Sequence, residues 1–114
     1  RRVPPVVSGV AVFDLHLNPS ARERDGFPYL VVMQSAQLDF LPTRLVMPLQ
    51  RLSGRPMGLP RRMVQPVVIE GETLYPAPQQ CAAVPARVLR QPLRSLADQQ
   101  GALRDALDAV ISGI

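Results

Sequence analysis

The sequence has few of the residues that build redox, metal or base-stacking sites. It contains one cysteine (Cys81) and one histidine (His16), and it has no tryptophan. A single cysteine excludes an internal disulfide, and together with a single histidine it does not supply a zinc site. Two tyrosines and three phenylalanines give little support for stacking on single-stranded bases. The sequence therefore predicts a protein without a metal or another cofactor.

The charge and the hydropathy narrow the class of protein further. All 13 basic residues are arginines, set against 9 acidic residues, and the net charge of +4 favours acidic partners. Hydrophobic residues make up 46% of the chain, which is typical of a compact domain rather than a disordered one. The chain has no apolar run of about 18 residues, the length that a membrane helix needs. We therefore expect a cytoplasmic protein without a membrane contact.

The 114 residues are enough for one domain with a single core. Residues 1–9 are interpreted as an N-terminal extension or a processing remnant, because Pro4, Pro5 and Gly9 interrupt their short apolar stretch. The folded domain is predicted to span residues 10–114.

Alternating and apolar segments predict five or six antiparallel strands. In the first strand, from Val10 to Leu17, His16 lies on the more polar face. The segment Tyr29–Met33 is apolar on both faces, as a central strand is. Pro48 places the strand Leu45–Leu49 at an edge or a bulge.

The later segments predict a hairpin, a last strand and a helix. The hairpin joins Val64–Glu70 to Thr73–Tyr75 through a II′ turn at Gly71-Glu72, and the last strand is Ala83–Leu89. Ser95 followed by Asp98 resembles a capping box. The apolar stripe of the helix comprises Leu96, Leu103, Leu107 and Val110, flanked by Ala106 and Ile111. A small curled or barrel-like sheet with one C-terminal helix fits this order of elements.

Candidate catalytic residues are few. His16 has no evident nucleophile or pocket beside it, and Cys81 has no local base, so we interpret them as an ordinary surface or interface histidine and an unreactive thiol. No glycine-rich phosphate loop, HExxH or GxSxG motif is present. Four arginines cluster between two strands: Arg51, Arg55, Arg61 and Arg62. A solvated loop is the first interpretation of this cluster, acidic-peptide recognition the second and RNA binding the third.

Several short motifs, taken in order, resemble the CcdB family. They are Met33-Gln34-Ser35, Leu38-Asp39, Arg44–Leu49, Pro66–Glu72, Ala82–Pro85 and the C-terminal Gly113-Ile114. The resemblance covers about residues 10–114. It implies a mainly β fold, an SH3-like barrel of antiparallel strands with one C-terminal helix, assembled as a homodimer.

The resemblance also implies a function. CcdB proteins are toxins of toxin–antitoxin modules that bind the A subunit of DNA gyrase and trap the cleaved-DNA complex without being enzymes. A CcdA antitoxin neutralises them through an acidic tail, and the toxin reaches operator DNA only in complex with the antitoxin, which represses the operon. On the residues themselves, Gly113-Ile114 also has a structural interpretation as a helix C-terminal glycine motif.

The resemblance assigns site residues as well. The family contacts gyrase through a C-terminal Trp-Gly-Ile, to which Ser112, Gly113 and Ile114 correspond, with serine in place of tryptophan. Arg55, Arg61 and Arg62 are expected to contribute to the antitoxin groove. Two alternatives stay open. One is an endoribonuclease related to MazF that uses Arg44 beside Thr43, and the other is a CcdB homologue that does not act on gyrase.

Overall fold

The computed structural model of the protein describes residues 11–54 and 56–112. Within them lie β1 (Asp14–Leu17), β2 (Tyr29–Val32), β3 (Thr43–Gln50), β4 (Val67–Ile69), β5 (Glu72–Pro76), β6 (Ala82–Pro85), β7 (Arg94–Ser95) and the helix α1 (Gln100–Ser112). The strands follow the order β4-β5-β3-β2-β1-β7, with β6 paired to β3, and every pairing is antiparallel. This curled half-barrel with a C-terminal helix confirms the predicted fold class. The predicted extension, residues 1–9, lies outside the described residues.

The sheet is covered on both faces, which explains the uniformly apolar central strand. On β2, Val31 faces the main core beneath α1, and Leu30 faces a second cluster that includes Leu89. The prediction that Tyr29–Met33 is a central strand is therefore confirmed. A central strand buried on both faces needs no polar alternation.

Of the two explanations that Pro48 allows for its strand, an edge position or a bulge, the edge position is wrong. β3 pairs with β2 on one side and, on the other, with β6 through Thr43–Val46 and with β5 through Leu49-Gln50. Pro48 lies where the partner changes from β6 to β5, and its carbonyl accepts the Ala77 N–H at 2.9 Å. The N–H and C=O of a strand residue point to the same side. The missing proline N–H therefore falls at this break in the ladder.

The first strand is shorter than predicted. It begins at Asp14 rather than at Val10, because Phe13 adopts a φ of 67°, which interrupts the extended backbone. Phe13 and Leu15 are buried as the alternation predicts, whereas Leu17 is 47% exposed. The alternation therefore identified the core face but not the point where the strand leaves the core.

The predicted hairpin is present with a different turn. Because Ile69 pairs with Glu72, the central residues of the turn are Glu70 and Gly71. Both have a positive φ, 50° and 81°, which is the I′ geometry rather than the predicted II′. Glycine fits the second position because it has no Cβ.

The last predicted strand and the helix start also shift. β6 ends at Pro85, and a 3-10 turn (Ala86–Val88) replaces the rest of the predicted strand. The Ser95 Oγ accepts the Ala97 N–H at 3.1 Å, as a capping residue does, but a 3-10 turn over Ala97–Gln99 precedes α1. In the part of the chain that the structure describes, no helix has the length and apolar character needed to cross a membrane.

Gly101, the second residue of α1, offers a test of the helix. A Cβ built at this position meets no atom within 4 Å. We expect Gly101→Ala to raise the free energy of unfolding by about 0.5–1 kcal/mol, because alanine restricts the unfolded chain more than glycine does. Urea denaturation measures the effect. The contrasting variant Gly71→Ala must lower stability because φ is 81° there, and a gain there would contradict the turn geometry.

Candidate functional site

The helix α1 packs one small-residue face against the rest of the domain. Leu103, Ala106 and Ala109 are its buried residues. Ala109 clusters with the buried side chains of the 3-10 turn Arg61–Val64. Because alanine is short, it lets the helix axis approach this turn closely.

The other apolar face of α1 is exposed. The predicted stripe is confirmed at Leu96 and Leu103, which are fully buried, but it is wrong farther along the helix. Val110 is 37% exposed and Ile111 is 77% exposed, while Leu107 is half-buried. Val110 and Ile111 therefore face solvent near the end of the helix, whereas Leu103, Ala106 and Ala109 pack inward. Exposed apolar side chains that lie together mark a surface for docking.

The predicted gyrase-contacting residues begin where this face ends. Ser112 is exposed and is the last residue of α1. Gly113 and Ile114 lie outside the described residues, so their role stays a prediction.

A depression of about 440 Å³ separates the outer face of α1 from the segment after β2. It is lined by Val12, Phe13, Met33, Ser35, Ala36, Arg104, Leu107 and Asp108. The Arg104 guanidinium lies 5.3 Å from the centre of the Phe13 ring, within cation–π range. The segment that supplies Ser35 continues to the exposed Leu38 and Phe40. The helix end and this segment thus present apolar and charged groups of the kind found at protein interfaces.

Gln34 fixes the segment after β2. Its side-chain amide donates to the carbonyl oxygens of Leu38 and Thr43 at 3.2 and 3.0 Å. Its Oε1 accepts the Leu45 N–H at 2.9 Å. The Gln34 side chain therefore links the segment after β2 to the start of β3 through hydrogen bonds.

Arg44 on β3 also holds this segment in place. It is completely buried, and its guanidinium donates to the carbonyl oxygens of Leu41, Thr43 and Asp39 at 2.6, 2.9 and 3.0 Å. Its Nε lies 3.8 Å from the Asp39 carboxylate. These contacts occupy the group that the endoribonuclease alternative assigns to a phosphate. The sequence did hold a signal for this burial, because Arg44 stands two residues before the buried Val46 in the strand alternation.

The structure separates the predicted arginine cluster. Arg51 pairs with Glu72 on β5. Arg62 lies 3.8 Å from Asp105 and 4.0 Å from Asp108, both on α1. These are exposed pairs, which contribute little to stability.

The remaining two arginines of the cluster are Arg61 and Arg55. Arg61 is exposed at the start of its 3-10 turn. Arg55 lies outside the described residues. A role of Arg55, Arg61 and Arg62 in antitoxin binding stays a prediction.

His16 is a core residue, so the expectation of a surface or interface histidine is wrong. It is 1% exposed and shares a cross-strand row with Leu30, whose face the second cluster covers. Within the described residues, neither ring nitrogen forms a hydrogen bond of good geometry. Burial lowers the pKa of His16, and the nearby Asp14 carboxylate and the Arg90 backbone oppose this only in part. A neutral imidazole therefore fills this part of the core.

Cys81 matches the expectation of an unreactive thiol. It is half-buried, and burial raises its pKa to about 11, so the thiol stays protonated near neutral pH. Among residues 11–54 and 56–112, no group of three or more histidine, cysteine, aspartate or glutamate residues is arranged to hold a metal ion.

The buried histidine predicts a pH dependence of stability. Because the pKa of His16 is lower in the folded state than its ordinary value of 6.5, the unfolded chain binds the proton more readily. Stability is therefore fully present above about pH 6.5 and falls below it, by up to about 1.4 kcal/mol per pH unit. Urea denaturation at about pH 7.5 and about pH 5.5 measures the loss. His16→Leu should flatten it, since the chain has one histidine. An equal slope in this variant would contradict the assignment.

The burial of Arg44 predicts that its substitution lowers the stability of the fold rather than abolishing a catalytic activity. Arg44→Ala leaves three carbonyl oxygens without their donor, and we expect a loss of about 2–4 kcal/mol in the free energy of unfolding. The matched control is Arg94→Ala, an exposed strand arginine, where a change within about 0.5 kcal/mol is expected. Equal effects of the two variants would contradict a structural role for the buried guanidinium.

The family comparison agrees with these elements. A family model described as CcdB protein matches residues 12–113, from just before β1 to the end of α1. A search of the curated proteins finds no match. The matched span includes the segment that Gln34 and Arg44 hold and the exposed end of α1. The chain thus belongs to the CcdB family, the toxins of toxin–antitoxin systems.

Proposed function

We propose that this toxin acts as a homodimer that binds the A subunit of DNA gyrase and traps the gyrase–DNA cleavage complex. The observation that carries the proposal is the exposed apolar end of α1, with Val110 and Ile111 facing solvent, in a chain of the CcdB family. The toxin acts in the cytoplasm by holding its target, and it is not an enzyme.

The helix end suits this role because its exposed apolar residues directly precede the C-terminal residues in the sequence. Ile111 leads through the exposed Ser112 into Gly113-Ile114, the residues that correspond to the family's gyrase contact. Truncation of a tryptophan at an interface hot spot commonly costs about 2 kcal/mol or more. Serine in place of that tryptophan therefore weakens the contact without removing the neighbouring apolar surface.

In the proposed two-fold dimer, the rest of the outer face of α1 forms the contact between the two copies. In such a dimer the same surface of each copy meets its equivalent. Half-buried Leu107 and exposed Val110 supply apolar area for that contact. The two helix ends then lie together and face a two-fold symmetric target.

An acidic antitoxin tail, resembling that of CcdA, is the proposed neutralising partner. Arg55, Arg61 and Arg62 are its proposed contacts, and the Asp105 and Asp108 partners of Arg62 are exposed enough for a tail carboxylate to replace them. Operator DNA is reached only by the complex of toxin and antitoxin, which represses the operon. Folding of the tail on binding offsets part of the attraction.

The endoribonuclease alternative loses support from the position of Arg44. Its donors are directed at three backbone carbonyl oxygens, and its side chain is fully buried. The second alternative, a CcdB homologue that does not act on gyrase, is separated from the proposal by the same assay that tests it.

Restoring the family tryptophan tests the gyrase contact. We expect Ser112→Trp to strengthen inhibition of gyrase supercoiling by about tenfold or more, because a large aromatic side chain is added at the centre of the contact. A supercoiling assay gives the inhibition, and a cleavage assay shows whether cut DNA accumulates.

The matched control is Ser53→Trp, which adds the same side chain at an exposed serine in the segment after β3. It should inhibit no better than the unaltered chain. If neither the unaltered dimer nor Ser112→Trp inhibits supercoiling or stabilises cleavage, the gyrase proposal fails and the gyrase-inactive alternative holds.

A further inference from the structure

The strand β4 lies at one end of the sheet, and among the strands of residues 11–54 and 56–112 it pairs with β5 only. The outer edge of an end strand presents backbone N–H and C=O groups with which a further strand can pair. In β4 these groups belong to Val68, because those of Val67 and Ile69 point the other way, toward β5. The Val68 side chain is also 50% exposed. The end of the sheet therefore carries one residue suited to pairing with another chain.

The side chain of Gln99 occupies this pairing position. Its Oε1 accepts the Val68 N–H at 2.9 Å, and its Nε2 donates to the Val68 carbonyl oxygen at 2.8 Å. In an antiparallel sheet, the two residues of a hydrogen-bonded pair exchange these same two bonds. The Gln99 amide, which comes from the 3-10 turn before α1, thus takes the place that one residue of a neighbouring strand would have.

A single side chain is enough to close this edge. The next residues with outward-directed backbone groups are Pro66 and Glu70, two positions from Val68 on either side. Pro66 has no N–H, and Glu70 leaves the extended backbone with a φ of 50°. Val68 is therefore the residue of this edge that offers a strand both a donor and an acceptor.

We propose that Gln99 keeps the edge of β4 closed against addition of a second copy of the chain. Without the Gln99 amide, two copies can pair their β4 strands antiparallel about a two-fold axis, with the two Val68 residues opposite each other. These residues then exchange the two bonds that each forms with Gln99 in the closed state. Their exposed side chains contact each other across the pair.

The edge is complementary to itself, which favours a second copy as the strand that would be added. In the two-fold register, Glu70 of one copy lies opposite Pro66 of the other, so like charges do not face each other directly. Every molecule carries the same edge, and a two-fold contact needs no other surface. The contact does not use Val110, Ile111 or Ser112, so the proposal does not depend on the gyrase contact.

Sedimentation equilibrium of the full chain tests the proposal with Gln99→Ala, which opens the edge. We expect this variant to form a species of at least about twice the mass of the unaltered protein as the concentration approaches about 1 mM, where weak contacts are populated. The matched control is Gln100→Ala, which removes the neighbouring glutamine. Because the Gln100 amide donates at 3.0 Å to the Ala97 carbonyl of its own segment, this control should sediment like the unaltered protein.

Amide hydrogen exchange at Val68 tests the bond itself. Gln99→Met keeps the length of the side chain but loses both hydrogen bonds. We expect the Val68 amide of this variant to exchange about tenfold faster in dilute solution than that of the unaltered protein, because its hydrogen bond is lost. In the associated form of Gln99→Ala the same amide should be protected again, since it then bonds to the second copy. Thermal unfolding confirms that each variant is folded.

A second substitution locates the contact. The double variant Gln99→Ala/Val68→Lys should return to the mass of the unaltered protein, because a lysine on an edge strand opposes pairing with another strand.

Three results would overturn the proposal. One is an unchanged mass of Gln99→Ala at every concentration, and another is an unchanged exchange rate of the Val68 amide in Gln99→Met. The third is association that Gln100→Ala reproduces or that Val68→Lys does not suppress, which would show that another surface forms the contact.

Discussion

The burial of both faces of the central strands β2 and β3 is the constraint on which the rest of the domain depends. One face is covered by α1, which contributes Leu103 to the main core, and the other by the turn after β6, which contributes Leu89. Each covering element has an outer side that nothing in the described residues covers. On α1 that side is the proposed target contact. On the second face, Arg87 and Val88 of the turn line a groove together with Leu17 of β1.

The two sides of α1 have different roles: one side packs against the domain, and the other keeps apolar residues exposed. Ala106 packs in the main core beside Leu103, and Ala109 packs against Met63 and Val64 of the 3-10 turn. Val110 and Ile111 remain on the solvent side, although they would release more free energy than alanine if they were buried. Such a helix is stable in the monomer and still keeps apolar surface for a partner. This arrangement agrees with membership of a toxin family whose members act through protein contacts.

The two buried polar residues show why residue type alone does not identify a catalytic group in this chain. Arg44 and His16 are reactive types, yet both lie in the core, one holding backbone carbonyl oxygens and the other neutral among apolar side chains. Both belong to strands whose alternation contains the relevant signal. His16 stands opposite Leu30, and Arg44 lies two residues before Val46. Recognising them requires knowing that the second face of the sheet is covered, because on a sheet with one solvated face these positions would be exposed.

The sequence by itself determined the class of fold, the central strand Tyr29–Met33, the hairpin and the C-terminal helix, because these depend on local periodicity and turn residues. The ordered motifs likewise indicated the family. Only the tertiary structure decided which side of α1 faces the core, where Pro48 interrupts the ladder, and that Arg44 is structural. It also brought Leu17 and Leu93 together with three arginines from separate segments. These features depend on contacts between residues far apart in the chain, and local pattern does not specify which surfaces of two elements meet.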